Sequence, residues 1–270
     1  MEKDLERAFQ IFTEMIENDP KNEKKETSYA IVLKGNIYQI GFKEIKLEID
    51  KAIQLYQQAI ELKNSAAMFN LASIYYNGAG GIKVDVNKAI QLYQKSIKLK
   101  NAQSMYGLAL IYHLGKGGIK VDINRAVELY KQSITFNNAD SMINLANIYE
   151  DGTGGLMVDI NKAVELYKSA IKISNNPNAL HNLANIYETG KAGMKVDIHQ
   201  AVELYKQASE RKFTESMNNL ALIYKNGTGG IKVDINQSIN LLKQAIQLKS
   251  SSAMVHFFFF QKIQFITFKR

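Results

Sequence analysis

Four histidines, His113, His181, His199 and His256, are the side chains best suited to move protons near neutral pH or to bind a transition metal. A helical metal pair needs two ligands one turn apart, and no two of these histidines stand four residues from each other. None has a serine and a carboxylate at a spacing that implies a nucleophile, its base and an orienting acid. Glycine-rich segments such as Asn226-Gly-Thr-Gly-Gly-Ile-Lys offer backbone amides that could cradle a phosphate. A phosphate loop, however, follows a strand and occurs once, whereas these segments follow helical patterns and recur. Asp151-Gly-Thr-Gly-Gly lacks the spaced acidic ligands of a calcium loop. The chain has no cysteine, which removes thiolate metal sites, a thiol nucleophile and disulfides. Asn226-Gly-Thr228 is a glycosylation sequon, but it lies in one of the recurring loops. The residues therefore predict no catalytic group, no metal and no cofactor, and the chain reads as a non-enzyme.

The elements that carry these residues repeat. Val-Asp-(Val/Ile)-(Asn/His) occurs at Asp85, Asp122, Asp159, Asp197 and Asp234, in steps of 37, 37, 38 and 37 residues. Tyr56, Tyr93, Tyr130, Tyr167 and Tyr205 keep the same beat, as do Gly78, Gly115, Gly152, Gly190 and Gly227. Each unit holds two apolar patterns with spacings of three and four, which place one face of a helix against a core. The first centres on Leu-Ala pairs: Leu71-Ala72, Leu108-Ala109, Leu145-Ala146, Leu183-Ala184 and Leu220-Ala221. The second starts at the aspartate, which stands where an N-cap accepts the free amides of the first turn. The alanines keep side chains small where helices approach closely. The tyrosines bring a large packing surface with a polar tip that needs a partner. The glycines end the first helix through a left-handed cap. One such unit cannot bury both its apolar faces, so neighbours must stack.

Composition agrees with helices. The chain has 270 residues, 46% of them hydrophobic, and only 2 prolines. Charges interrupt Met1-Glu-Lys-Asp-Leu-Glu-Arg too often for a secretory leader. No apolar run approaches the roughly 18 residues of a membrane span. A cytoplasmic location without a membrane span is the expectation. The net charge of +8 could mean a nucleic-acid or membrane partner. The lysines are dispersed, however, often at helix ends (Lys63, Lys98, Lys100, Lys172, Lys249), where the helix dipole favours cations.

The combined pattern Leu-Ala-x-Ile-Tyr-x-x-Gly-x-Gly-Gly-x-x-Val-Asp-x-x-x-Ala-x-x-Leu-Tyr resembles the Sel-one-like repeat, a longer-looped relative of the tetratricopeptide repeat. The resemblance covers roughly residues 4 to 256. It implies an all-α fold, a right-handed α-solenoid or superhelix of tandem antiparallel helix pairs. By the same alignment residues 1–49 are degenerate capping helices and 50–250 the repeat array. Residues 251–270 begin a further repeat that collapses into Phe257-Phe-Phe-Phe-Gln-Lys, either an apolar plug or an artefact of the gene model.

In tetratricopeptide arrays the first helix of each unit lines the concave surface. The resemblance thus places a candidate groove at offsets −2, +2 and +5 from each repeat leucine. This face includes Tyr76, Tyr106, His113, Asn147, Glu150, His181, Asn185, Glu188, Asn218 and Lys225. An Asn147/Asn185 amide ladder could grip an extended or helical protein segment, and Glu150 with Glu188 would favour a basic one. The implied function is a non-enzymatic scaffold or adaptor for one or more proteins, in degradation or signalling complexes. The alternatives are a basic helical-repeat RNA-binding protein, which the two glutamates disfavour, and a regulatory fragment of a larger protein.

Overall fold

A computed structural model describes residues 2–21, 25–41 and 47–255. His256 and the 257–270 tail lie outside the described residues. The chain divides into two units, residues 1–138 and 139–270. The described residues are helical with connecting loops, and no strand occurs among them.

In the first unit, α1 (Glu2–Glu17) packs on α2 (Lys25–Ile40). Three helix pairs follow from there: α2 with α3 (Ile49–Glu61), α4 (Ser65–Asn77) with α5 (Val86–Ile97), and α6 (Ala102–Leu114) with α7 (Ile123–Ile134). In the second unit the pairs are α8 (Ala139–Asp151) with α9 (Ile160–Ser174), α10 (Pro177–Thr189) with α11 (Ile198–Glu210), and α12 (Thr214–Asn226) with α13 (Ile235–Gln247). Within each unit the second helix of one pair also packs on the first helix of the next, as α3 does on α4 and α11 on α12. The unit of structure is therefore a helix hairpin whose open side is closed by its neighbour.

The recurring residues build the hairpin. Gly78 ends α4 at φ 71° and donates its N–H to the Ile74 carbonyl at 2.9 Å. Gly115, Gly152, Gly190 and Gly227 hold the same left-handed conformation. A one-turn 3₁₀ segment follows, Ala79–Gly81 in the first instance and Lys116–Gly118 in the next. The chain then returns through a valine. A Cβ on Gly78 would stand 2.9 Å from Val84 Cγ2, so this valine folds over the bare glycine. Next the Asp85 N–H bonds the Tyr75 carbonyl at 2.9 Å. The same bond recurs from Asp122 to Tyr112, from Asp159 to Tyr149, from Asp197 to Tyr187 and from Asp234 to Tyr224. Each aspartate then caps the second helix with its carboxylate, as Asp85 Oδ1 accepts from the Lys88 N–H at 2.9 Å and Asp234 Oδ1 from the Gln237 N–H at 2.8 Å.

The core between helices is small against large. Ala72, Ala109, Ala146, Ala184 and Ala221 are fully buried, and so are Tyr56, Tyr130, Tyr167 and Tyr205. The loop also reaches the preceding repeat. A Cβ on Gly117 would stand 2.3 Å from Val86 Cγ2, and one on Gly229 the same distance from Ile198 Cγ1. These loop glycines serve close packing between repeats.

The second helices end in a way the charge pattern did not anticipate. Lys63, Lys100, Lys212 and Lys249 have φ of 56°, 60°, 61° and 64°. The lysines thus occupy the left-handed turn where glycine or asparagine is cheaper, in addition to any benefit from the helix dipole.

Candidate functional site

Two of the three offsets that mark the first-helix face, +2 and +5, supply the partners of one atom, the hydroxyl of the buried tyrosine. Each tyrosine sits on the second helix with its ring in the core and its Oη directed at the preceding first helix. Residues 20 and 17 positions before it receive that oxygen. Tyr56 Oη lies 2.7 Å from both Asn36 Oδ1 and Gln39 Oε1. Tyr93 Oη pairs with Ser73 Oγ at 3.3 Å. Tyr130 Oη pairs with His113 Nδ1 at 3.2 Å. Tyr167 Oη lies against Asn147 Oδ1 and 2.7 Å from Glu150 Oε2. Tyr205 Oη donates to Glu188 Oε2 at 2.7 Å. Residue 242 continues the series as Leu242, which has no hydroxyl to place, and the residue 20 before it is Leu222.

The offset −2 residues flank the same rings. Phe69 and Tyr93 have ring centroids 6.0 Å apart, Tyr106 and Tyr130 6.2 Å, and His181 and Tyr205 5.5 Å. Asparagines of the following first helix complete the socket: Asn182 Nδ2 donates to Asn147 Oδ1 at 3.0 Å, and Asn219 Nδ2 to Tyr205 Oη at 3.0 Å. Gly107 holds the corresponding place beside Tyr93, because a Cβ there would meet the ring at 2.7 Å.

Burial sets the chemistry of these groups. It pushes the Tyr93 hydroxyl up to about 12. It also raises Tyr56, Tyr130, Tyr167 and Tyr205, and for Tyr167 and Tyr205 the neighbouring glutamates add to the effect. These phenols stay protonated and serve as donors, not as bases. Burial also holds His113 and His181 below the ordinary imidazole value, so each is neutral near pH 7. His181 Nδ1 meets the buried Ser216 Oγ at 3.0 Å, and its ring packs on Phe213 with centroids 5.3 Å apart. This is a packing environment, and among the described residues the bonded partner of the imidazole is a hydroxyl.

The candidate residues therefore separate. Tyr76, Tyr106, His113, Asn147, Glu150, His181, Asn185, Glu188 and Lys225 are half-buried on the first helices, those of α4 and α6 in the first unit and those of α8, α10 and α12 in the second. Asn218 differs: it is 5% exposed, and its Nδ2 reaches Ser250 Oγ at 3.4 Å. The −2 offset stands on the flank that meets the next repeat, which takes Asn218 off the accessible face. The Asn147 acceptor of the expected amide ladder is engaged internally by Tyr167 and Asn182.

Two loop lysines belong to this face although the offsets do not include them. Lys116 and Lys191 each follow the capping glycine and reach back to the +5 residue of the preceding repeat. Lys116 Nζ lies 3.9 Å from the centre of the Tyr76 ring. Lys191 Nζ bonds Glu150 Oε1 at 2.9 Å and Asp151 Oδ1 at 2.7 Å. The sequence signal was present in the 40- and 41-residue spacing of these pairs, but only the fold shows that the loop crosses to the neighbouring hairpin.

Among the described residues no group of three or more His, Asp or Glu side chains could hold a metal, and no helix is long and apolar enough to cross a membrane.

No curated protein matches the chain by sequence. Solved structures do match in fold. A Sel1 repeat protein from Oxalobacter formigenes aligns with a TM-score of 0.75 at 22% identity, covering 90% of this chain and 99% of its own. The protective antigen c5321 of uropathogenic Escherichia coli, described as displaying an SLR fold, aligns with a TM-score of 0.70 at 20% identity, covering 94% of this chain and 56% of its own. An immunity protein of Pseudomonas aeruginosa, PA5088, gives 0.56 at 18% identity, covering 83% of this chain and 82% of its own. The profile of the Sel1 repeat, a helical scaffold fold generally used for protein–protein interaction, matches residues 34–64, 65–101, 102–135, 139–175, 177–213 and 214–250. With the helix hairpin, the capped loop and the tyrosine socket recurring in register with these segments, the chain belongs to the Sel1 repeat family.

Proposed function

We propose that this chain is a non-enzymatic scaffold that binds segments of partner proteins on its first-helix face. The observation that carries this reading is the contrast between constant and variable positions. In the five repeats that start at Leu71, Leu108, Leu145, Leu183 and Leu220 the leucine, alanine, glycine and aspartate that build the hairpin are constant, and the tyrosine is kept in all but the last, where Leu242 stands. The half-buried +5 residues differ: Tyr76, His113, Glu150, Glu188 and Lys225. Within each unit, a face that changes its chemistry along a constant framework suits recognition of an irregular surface, not a repeated small ligand. Burial keeps the socket phenols protonated, and each is engaged by side chains of its own hairpin, which supports the non-enzymatic part of the reading.

A second reading rests on the net charge of +8, which suits a nucleic acid. Glu150 and Glu188 on the same face oppose a phosphate backbone, so the protein partner is preferred.

The test is affinity capture of proteins from native extract with the full chain as bait, with and without nuclease, beside an Asn147→Ala, Asn185→Ala double variant whose melting curve shows that it remains folded. A discrete protein set that survives nuclease and is depleted with the variant is the expected result. Loss of all capture on nuclease treatment moves the reading to nucleic acid, and a set unchanged in the variant removes these asparagines from the site.

A further inference from the structure

The pairing between loop lysine and +5 residue follows a rule within each unit, and one repeat breaks it. In the first unit the loop residue after Gly115 is Lys116, and it lies over Tyr76, whose ring face attracts a cation. The loop residue after Gly78 is Ala79, and the residue 40 before it is the neutral Gln39. In the second unit the loop residue after Gly190 is Lys191, which Glu150 receives at 2.9 Å together with Asp151 at 2.7 Å; the residue after Glu188 is the neutral Thr189, so Glu188 would hold a cation with one carboxylate. A cation-accepting side chain thus meets a lysine, and a neutral one meets a neutral residue.

Glu188 is the exception. It occupies the same +5 place as Glu150 and makes the same first bond, since its Oε2 accepts from the Tyr205 hydroxyl at 2.7 Å as Glu150 Oε2 does from Tyr167. The loop residue that should face it, after Gly227, is Thr228. No lysine or arginine among the described residues pairs with Glu188. Its Oε1, the counterpart of the atom that Lys191 bonds on Glu150, has no protein partner among the described residues. That oxygen is not enclosed, so a donor from outside can reach it, and a charged donor binds a carboxylate more strongly than a neutral one. The neighbouring repeat shows which donor the geometry accepts: an ammonium on a flexible stem, arriving from the side of the 3₁₀ loop.

We propose that Glu188 is the receptor for a lysine side chain of a partner segment, which takes in trans the place that Lys191 takes in cis beside Glu150. This rests on the scaffold reading and names the chemistry of its partner: a protein segment presenting a lysine to the α10 face. The positive charge of the whole chain does not forbid it, because charges farther than about 8 Å are screened at physiological ionic strength, and the contact is made at closer range. Thr228 is exposed, and its side chain is too short to reach back as Lys191 does.

The test uses the full chain and a fluorescein-labelled twelve-residue peptide of alternating lysine and serine, with the same peptide acetylated on every lysine as its uncharged control. Fluorescence anisotropy at low salt reads binding. Binding of the charged peptide, weakened about tenfold by Glu188→Gln and by Thr228→Lys, and unchanged by Glu203→Gln on the exposed side of α11, is the expected result. Thr228→Lys supplies the missing cation in cis, so it should also raise Tm in the parent chain and not in the Glu188→Gln background. The inference is overturned by absence of binding, by equal loss with Glu203→Gln, by equal binding of the acetylated peptide, or by a Tm change from Thr228→Lys that is the same in both backgrounds. Proteins still captured from extract by the Glu188→Gln chain would remove the lysine receptor while leaving the scaffold reading intact. Loss of protein capture by the parent chain itself would remove both.

Discussion

At the scale of single residues the tyrosine hydroxyl organises the candidate face. A buried phenol without a partner is costly, and one that donates to a carboxylate is held more strongly than one that meets a neutral hydroxyl. Tyr167 lies against Asn147 and Glu150, whereas the hydroxyl of Tyr93 pairs with that of Ser73. Tyr167→Phe should therefore lower unfolding free energy by about 2 kcal/mol and Tyr93→Phe by about 1 kcal/mol, as read by urea denaturation. Equal costs would mean that the hydrogen bond from the phenol to Glu150 adds nothing. The tyrosines were legible in the sequence as residues that need a partner. Their partners were legible only as positions on a helix face, because an i−20 or i−17 contact is created by folding the hairpin and has no local signature.

At the scale of the element, the hairpin depends on close helix contact and on its turns. Ala146 is fully buried in α8, and Ala146→Leu should overpack that contact and cost about 2 kcal/mol in the same denaturation measurement. A neutral result would place this alanine away from the packed face. The left-handed lysines make the opposite prediction. Lys100 has φ 60° at the turn after α5, so Lys100→Gly should raise stability by about 1 kcal/mol, and Lys100→Val should lower it. A loss on Lys100→Gly would show that the charge at the helix end outweighs the backbone strain. Helix starts and first-helix ends were readable from the aspartates and glycines because capping is a local interaction. The lysine turns were not, since lysine marks a helix C-terminus by charge as readily as by backbone shape.

At the scale of the whole molecule, stability is summed over repeats that share the same parts, and His113 in the first unit and His181 in the second tie that sum to pH. Burial lowers both imidazoles below the ordinary value. The folded chain then binds fewer protons than the unfolded chain in the window between the lowered values and about 6.5. Stability should be fully present above that upper limit and should fall as pH drops through the window. Denaturation at pH 7.5 and pH 5.5 checks this, and a His181→Asn variant should lose part of the difference. A pH dependence unchanged by that variant would assign the effect to other groups. The repeat length, the all-helical class, the caps and the membership of the Sel1 repeat family were all determined by the sequence itself, because period and capping depend on residues close together in the chain. The tertiary structure decided which neighbour each face meets. It placed Asn218 in the packed flank, turned the asparagine of the expected ladder toward Tyr167, and carried Lys191 from a loop to Glu150 in the preceding hairpin. Those outcomes depend on contacts between residues tens of positions apart, which are formed only when one hairpin closes on the next.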